Sequence, residues 1–89
     1  MQYEVDVTKR AIRQLTRIPE EHRKRIFTAI RALEDSETWG DVKKLVNHDY
    51  DYRLRVGRYR VLFNMTDDDS LEIQVIRVEE VKKRDNQTY

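Results

Sequence analysis

Cysteine is absent from these 89 residues, which excludes disulfides, thiolate nucleophiles and any cysteine-based metal site. Histidine occurs only at positions 22 and 48, and two isolated histidines that far apart offer no metal-ligand spacing. No apolar run approaches the roughly 20 residues needed to cross a bilayer. The opening Met-Gln-Tyr-Glu-Val-Asp lacks the basic and apolar regions of a signal peptide. The expectation is therefore a cytoplasmic protein with no membrane partner. Net charge is scarce as well: 18 basic against 17 acidic residues leave +1, too little for the total alone to announce nucleic acid.

What is present is order. The length suits one domain spanning residues 1–89, which at this size buries roughly 60 to 65 per cent of the surface of its unfolded chain. Charged residues make up 39% and hydrophobic ones 38%, but the apolar positions are periodic, which argues against disorder. Residues 2 to 7 alternate polar and apolar, the period of a half-buried strand. Thr8 is a helix N-cap, and Ala11, Ile12, Leu15 and Ile18 then share one helical face. Pro19 opens a second helix whose first turn carries Glu20 and Glu21, complementing the helix dipole. Ile26, Phe27, Ile30 and Leu33 form its buried stripe, to about Glu34.

From residue 35 to 51 no period is sustained, and Trp39 reads as an anchor folding back on the core. The aspartates at 67 to 69 lack the sixth-position glycine and distal glutamate of a calcium loop and read as a solvated turn. Leu71, Ile73, Val75, Ile76 and Val78 form a strand apolar on both faces toward its end, as in a sheet interior. A charged tail runs from 79 to 89. The order β-α-α-β-β-β with a short C-terminal tail implies an α+β fold: a small, mostly antiparallel four-stranded sheet with an N-terminal helical hairpin packed on one face.

Residues 52 to 63, Tyr-Arg-Leu-Arg-Val-Gly-Arg-Tyr-Arg-Val-Leu-Phe, carry the chemistry. Gly57-Arg58 reads as a two-residue hairpin loop in which glycine supplies a positive φ. In that register Val56 faces Tyr59, Leu54 faces Val61 and Tyr52 faces Phe63, making one face apolar. The other face holds Arg53, Arg55 and Arg60, with Arg55 directly opposite Arg60. Opposed like charges destabilise a sheet, so the arrangement calls for an anion. Guanidinium groups suit phosphate because they are planar, permanently charged and bidentate. Lys82, Lys83, Arg84 and Arg77 extend the candidate surface. The alternative is a solvated face whose arginines pair with Glu72, Glu79 or Glu80.

This hairpin, with the opening strand, the helical hairpin, the Val42-Lys43-Lys44-Leu45 segment and a tail ending Lys83-Arg84 and Thr88-Tyr89, resembles the RelE/ParE superfamily of bacterial toxins, in its RelE branch. The resemblance implies an endoribonuclease that cuts messenger RNA in the ribosomal A site, using the ribose 2′-hydroxyl as nucleophile without metal or other cofactor. It also implies a cognate antitoxin, with the ribosome and mRNA as further partners. Carried over by position, the catalytic set is Arg53, Arg55, Arg60, Lys83 or Arg84, and Tyr89, with Arg58, Arg77 and Lys82 binding substrate. Arginine stays protonated, so Arg53 and Arg55 are clamps and the base comes from elsewhere: Lys82, Lys83, Tyr89 or His48. The other reading within reach is non-catalytic, either a ParE-like inhibitor of DNA gyrase or an RNA-binding module using the same face.

Overall fold

A computed structural model describes residues 2–66 and 74–83. Strand β1 (Tyr3–Val7) leads into helices α1 (Lys9–Thr16) and α2 (Glu20–Arg31). Two single 3-10 turns follow, then strands β2 (Asp41–Lys44), β3 (Tyr52–Val56), β4 (Tyr59–Met65) and β5 (Gln74–Lys83). The α+β class is as expected, but the sheet has five strands, in the order β1-β5-β4-β3-β2. Only β1 and β5 run parallel.

The additional strand is β2, paired antiparallel to β3. Four residues with one inward apolar side chain, Val42, are too short to display a period. Between the second helix and β2, Trp39 folds back as the sequence suggested. Its Nε1–H donates to the Leu33 carbonyl at 2.8 Å, and its ring packs between Tyr3 and Phe63 at centroid distances of 5.3 and 6.1 Å.

The helix starts follow the sequence signals. Thr8 Oγ1 accepts from the Ala11 amide at 3.2 Å, and the Pro19 carbonyl accepts from the amides of His22 and Arg23. Both helices pack on one side of the sheet, burying Ala11, Leu15, Ile26, Ile30 and Leu33 against Leu54, Val61, Phe63, Ile76 and Val78. Burying each large apolar side chain contributes about 1.5–3 kcal/mol, offset by the entropy of ordering it. Two members of the expected stripes are not in this core: Ile12 and Phe27 are each 49% exposed. They line an outward seam between the helices with Leu15 and Thr28, because the sheet contacts only the arc of each helix centred on Leu15 and Ile26.

Strand β5 runs five residues past Val78, into what the sequence presented as a charged tail. Val78 pairs with Phe63 and Glu80 with Leu62, so Glu79 is an extra residue that bulges out and lets pairing continue to Lys83. Among the described residues the outer edge of this extension meets no strand. Instead Gln14 of α1 caps it, its Oε1 accepting from the Val81 amide at 2.7 Å. No helix among the described residues is long and apolar enough to cross a membrane.

Candidate nucleic-acid interface

The hairpin forms in the register its alternation implied. Tyr52 pairs with Phe63, Leu54 with Val61, Arg55 with Arg60 and Val56 with Tyr59. Gly57 sits at φ +57°, where a side chain would strain the backbone even though the space beside it is open. The helices cover the apolar side, so Arg53, Arg55 and Arg60 lie on the opposite face.

Strand pairing orders that face into rows. Asp41, Arg55, Arg60 and Lys82 stand side by side across four strands, and the next row holds Lys43, Arg53, Leu62 and Glu80. At the β2 edge the charges are neutralised. Asp41 Oδ1 lies 3.2 Å from Arg53 Nη1 and Oδ2 lies 3.9 Å from Arg55 Nε. Arg53 also donates to the Asp41 carbonyl at 3.1 Å and is only 12% exposed, so it clamps β2 to β3. Among the described residues, the carboxylate that pairs with Arg53 and Arg55 thus comes from β2 and not from Glu79 or Glu80, while Glu72 lies outside them.

At the centre of the face, Arg60 forms no ion pair among the described residues, although Arg55 and Lys82 beside it each have a carboxylate within 4 Å. Arg60 Nε is buried without a hydrogen-bond partner among the described residues, between Arg55 on one side and Lys82 on the other. Buried donors are almost always satisfied, and an orphaned one marks strain or a ligand site.

A second group adjoins this centre. Glu80, diagonal to Arg60, is held at both oxygens: Tyr50 Oη donates to Oε2 at 2.6 Å and Gln14 Nε2 donates to Oε1 at 3.1 Å. Lys82 Nζ lies 3.7 Å from Oε2. The Tyr50 hydrogen bond, reinforced by Gln14 and by Lys82, outweighs burial and holds the Glu80 carboxyl below its ordinary value. The same hydrogen bond, with burial and the Glu80 charge, raises the Tyr50 phenol. Tyr50 arrives on a loop closed by the Leu45 amide donating to the Asp51 carbonyl. His48 Nδ1 accepts from the Tyr50 amide at 3.1 Å, so this loop does bring the His48 ring near the Tyr50 ring, with centroids 5.9 Å apart.

The structure separates the expected site residues. Arg55, Arg60 and Lys82 come together. Arg77 is on the same face but two rows away, across from Asn64 and 3.7 Å from Asp6. Arg58 occupies the hairpin turn. Lys83 departs from the expected group: strand alternation after buried Val81 turns Lys82 to the arginine face and Lys83 to the helix side, where it lines a cleft with Tyr59 and His22. Arg84 and Tyr89 lie outside the described residues, as do the turn at 67–70, Leu71 and Ile73. Sequence reasoning missed Asp41, Tyr50, Gln14 and, as a site member, Glu80. The signal for Glu80 was its two-residue spacing from Lys82, legible only if the strand continues past Val78.

Fold and face place the molecule among small α+β proteins with a helical hairpin on one side of a sheet and a cationic surface on the other. Solved structures agree. The chain is similar to the archaeal RelE-RelB complex from Pyrococcus horikoshii OT3, at 30% identity and TM-score 0.74, covering 97% of this chain and 99% of that one. It is also similar to the RelB-RelE antitoxin-toxin complex from Methanococcus jannaschii, at 26% identity and TM-score 0.66, covering 88% of each chain. A toxin-antitoxin complex from Mycobacterium tuberculosis shares the fold at 21% identity and TM-score 0.73, covering 94% of this chain and all of that one. No protein-family model and no curated protein matches the chain. The chain belongs to the RelE family of toxins, within the RelE/ParE superfamily.

Proposed function

We propose that the protein is the toxin of a type II toxin-antitoxin pair and that it cuts messenger RNA in the ribosomal A site. The observation that carries this reading is Arg60, with its unsatisfied buried Nε, set between Arg55 and Lys82. The relatives in complex with RelB support a cognate antitoxin as partner.

In the proposed reaction the ribose 2′-hydroxyl gives its proton to a base and attacks the adjacent phosphorus, the bond from phosphorus to the 5′-oxygen breaks as a 2′,3′-cyclic phosphate forms, and the 5′-oxygen leaves with a proton. Because the nucleophile belongs to the substrate, no metal-bound water is required. Negative charge grows on the phosphoryl oxygens, and fixed cations aimed at those oxygens lower the barrier. Arg60 fills that role, Arg55 assists, and Lys82 is the strand cation placed to contact the same phosphate. Arg53, committed to Asp41, holds the platform. Arg84 and Tyr89 remain proposed contributors from the tail, Tyr89 orienting the 2′-hydroxyl or stacking on a base.

The test is a translating cell-free extract in which messenger RNA 5′ ends are mapped after adding the protein. The wild-type chain should produce cuts within translated regions, and Arg60→Ala should reduce them about 10²–10³-fold while the circular dichroism spectrum is kept. Absence of cuts with the wild-type chain would overturn the reading.

A further inference from the structure

On the helix side of the sheet, around the hairpin tip from the arginine face, lies a cleft of about 440 Å³. Its rim carries three cations from three separate elements: Arg25 on α2, Arg58 in the β3–β4 turn and Lys83 at the end of β5. All three are exposed, and among the described residues no carboxylate forms an ion pair with any of them. This contrasts with Lys24 and Arg31 on the same helix, paired to Glu20 at 3.3 Å and Glu34 at 3.4 Å. The floor is different in kind. Tyr59 is almost fully buried, and the His22 ring packs against it at a centroid distance of 5.7 Å. His22 is itself 3.5 Å from Glu21.

We propose that this cleft is a second phosphate-binding site, which receives the backbone of a single-stranded RNA segment outside the scissile position. Three convergent unpaired cations concentrate negative ligands, and two of them are guanidinium groups, which match phosphate oxygens bidentately. The aromatic and aliphatic floor suits a sugar or base edge between phosphates. Continuity favours a strand over an isolated ion. Lys82 and Lys83 are consecutive residues facing opposite sides of β5, and Arg58 bridges the sides at the turn, so one cationic band runs from Arg60 round the sheet end to Arg25. A polyanion following that band touches both sites. The choice of RNA rests on the function proposed above; the charge geometry does not.

The experiment uses the full chain and a 2′-O-methyl oligoribonucleotide, which has no free 2′-hydroxyl and is not cut. Affinity is measured by fluorescence anisotropy over a salt series for wild type and for R25Q/R58Q/K83Q. Losing three phosphate contacts should flatten the log–log salt slope by about 2 and weaken binding about tenfold or more at low salt. Wild-type amide spectra should show the oligonucleotide shifting Ile26, Gly57 and Tyr59. An unchanged slope and affinity in the triple variant, or shifts confined to the arginine face, would overturn the proposal. Adenosine 5′-monophosphate and a polyglutamate peptide form two further arms. If the mononucleotide binds the cleft as tightly as the oligonucleotide, or the peptide competes equally, the RNA-backbone assignment is wrong. A chain that binds in the cleft yet never cuts in extracts would sink the nuclease reading and leave this site standing.

Discussion

The Tyr50 hydroxyl donates a 2.6 Å hydrogen bond to Glu80 Oε2, joining the loop before β3 to the bulged half of β5. The bond stabilises the fold only while Glu80 is ionised and Tyr50 protonated. Glu80 has a folded pKa below its ordinary value of 4.5, so its contribution is full above that value and is lost as pH falls through the depressed one. Tyr50 is raised above 10.0, so its contribution is full below that value and is lost as pH rises through the elevated one. Tyr50→Phe should therefore lower unfolding free energy by about 1–2 kcal/mol at neutral pH. Urea titrations of both proteins should show that gap narrowing below pH 4.5. A gap of equal size at pH 3 and pH 7 would contradict the assignment.

Arg60 illustrates a side chain that serves the surface at the expense of the sheet. Replacing it with alanine relieves the opposition to Arg55 and removes the orphaned donor, so the melting temperature should hold or rise. Cleavage in the translating extract should meanwhile fall by about 10²–10³-fold, the usual loss for one group stabilising transition-state charge. A variant that loses activity only in proportion to lost folded protein would assign Arg60 a structural role.

Asp41 neutralises one end of the same row. Its removal leaves Arg53, held 3.2 Å away, mostly buried without its carboxylate. Asp41→Ala should cost about 1 kcal/mol, since Asp41 is itself half exposed. The more specific readout is hydrogen exchange: the amides of β2 should exchange faster while those of β4 and β5 do not change. Uniform protection across the sheet would show that β2 is held by something other than this pair.

Trp39, the chain's one tryptophan, reports on the packing between β1 and the hairpin. Trp39→Phe removes the Nε1–H donor to the Leu33 carbonyl and should cost about 1–2 kcal/mol. Trp39→Ala, which also empties the space between Tyr3 and Phe63, should cost about 3 kcal/mol or more. Chemical denaturation distinguishes these values, and near-equal losses would mean that the ring packing contributes little.

Much of this architecture was legible in local pattern. Thr8, Pro19 and Gly57 each act through a backbone constraint confined to a few neighbours, and each holds the position its chemistry implied. The alternation from Tyr52 to Phe63 set both the hairpin register and the separation of the arginines from the apolar face, because a strand's period of two leaves no other division. Local pattern failed where a residue's fate depended on a remote partner. Ile12 and Phe27 have the spacing of core residues, but the sheet meets only part of each helix. Strand β2 pairs because β3 has a free edge beside it.

Residues 79 to 83 are the sharpest case. By themselves they are a charged run, and only the capping of Val81 by Gln14 and the bulge at Glu79 turn them into strand. That single decision sends Lys82 to the arginine face, Lys83 to the cleft behind it, and Glu80 to Tyr50. The amino-acid sequence by itself determined which charges this protein carries and the face on which the hairpin presents them. Tertiary structure decided which of those charges are neutralised and which stay free, because an ion pair or an unmet donor depends on groups brought together from distant parts of the chain.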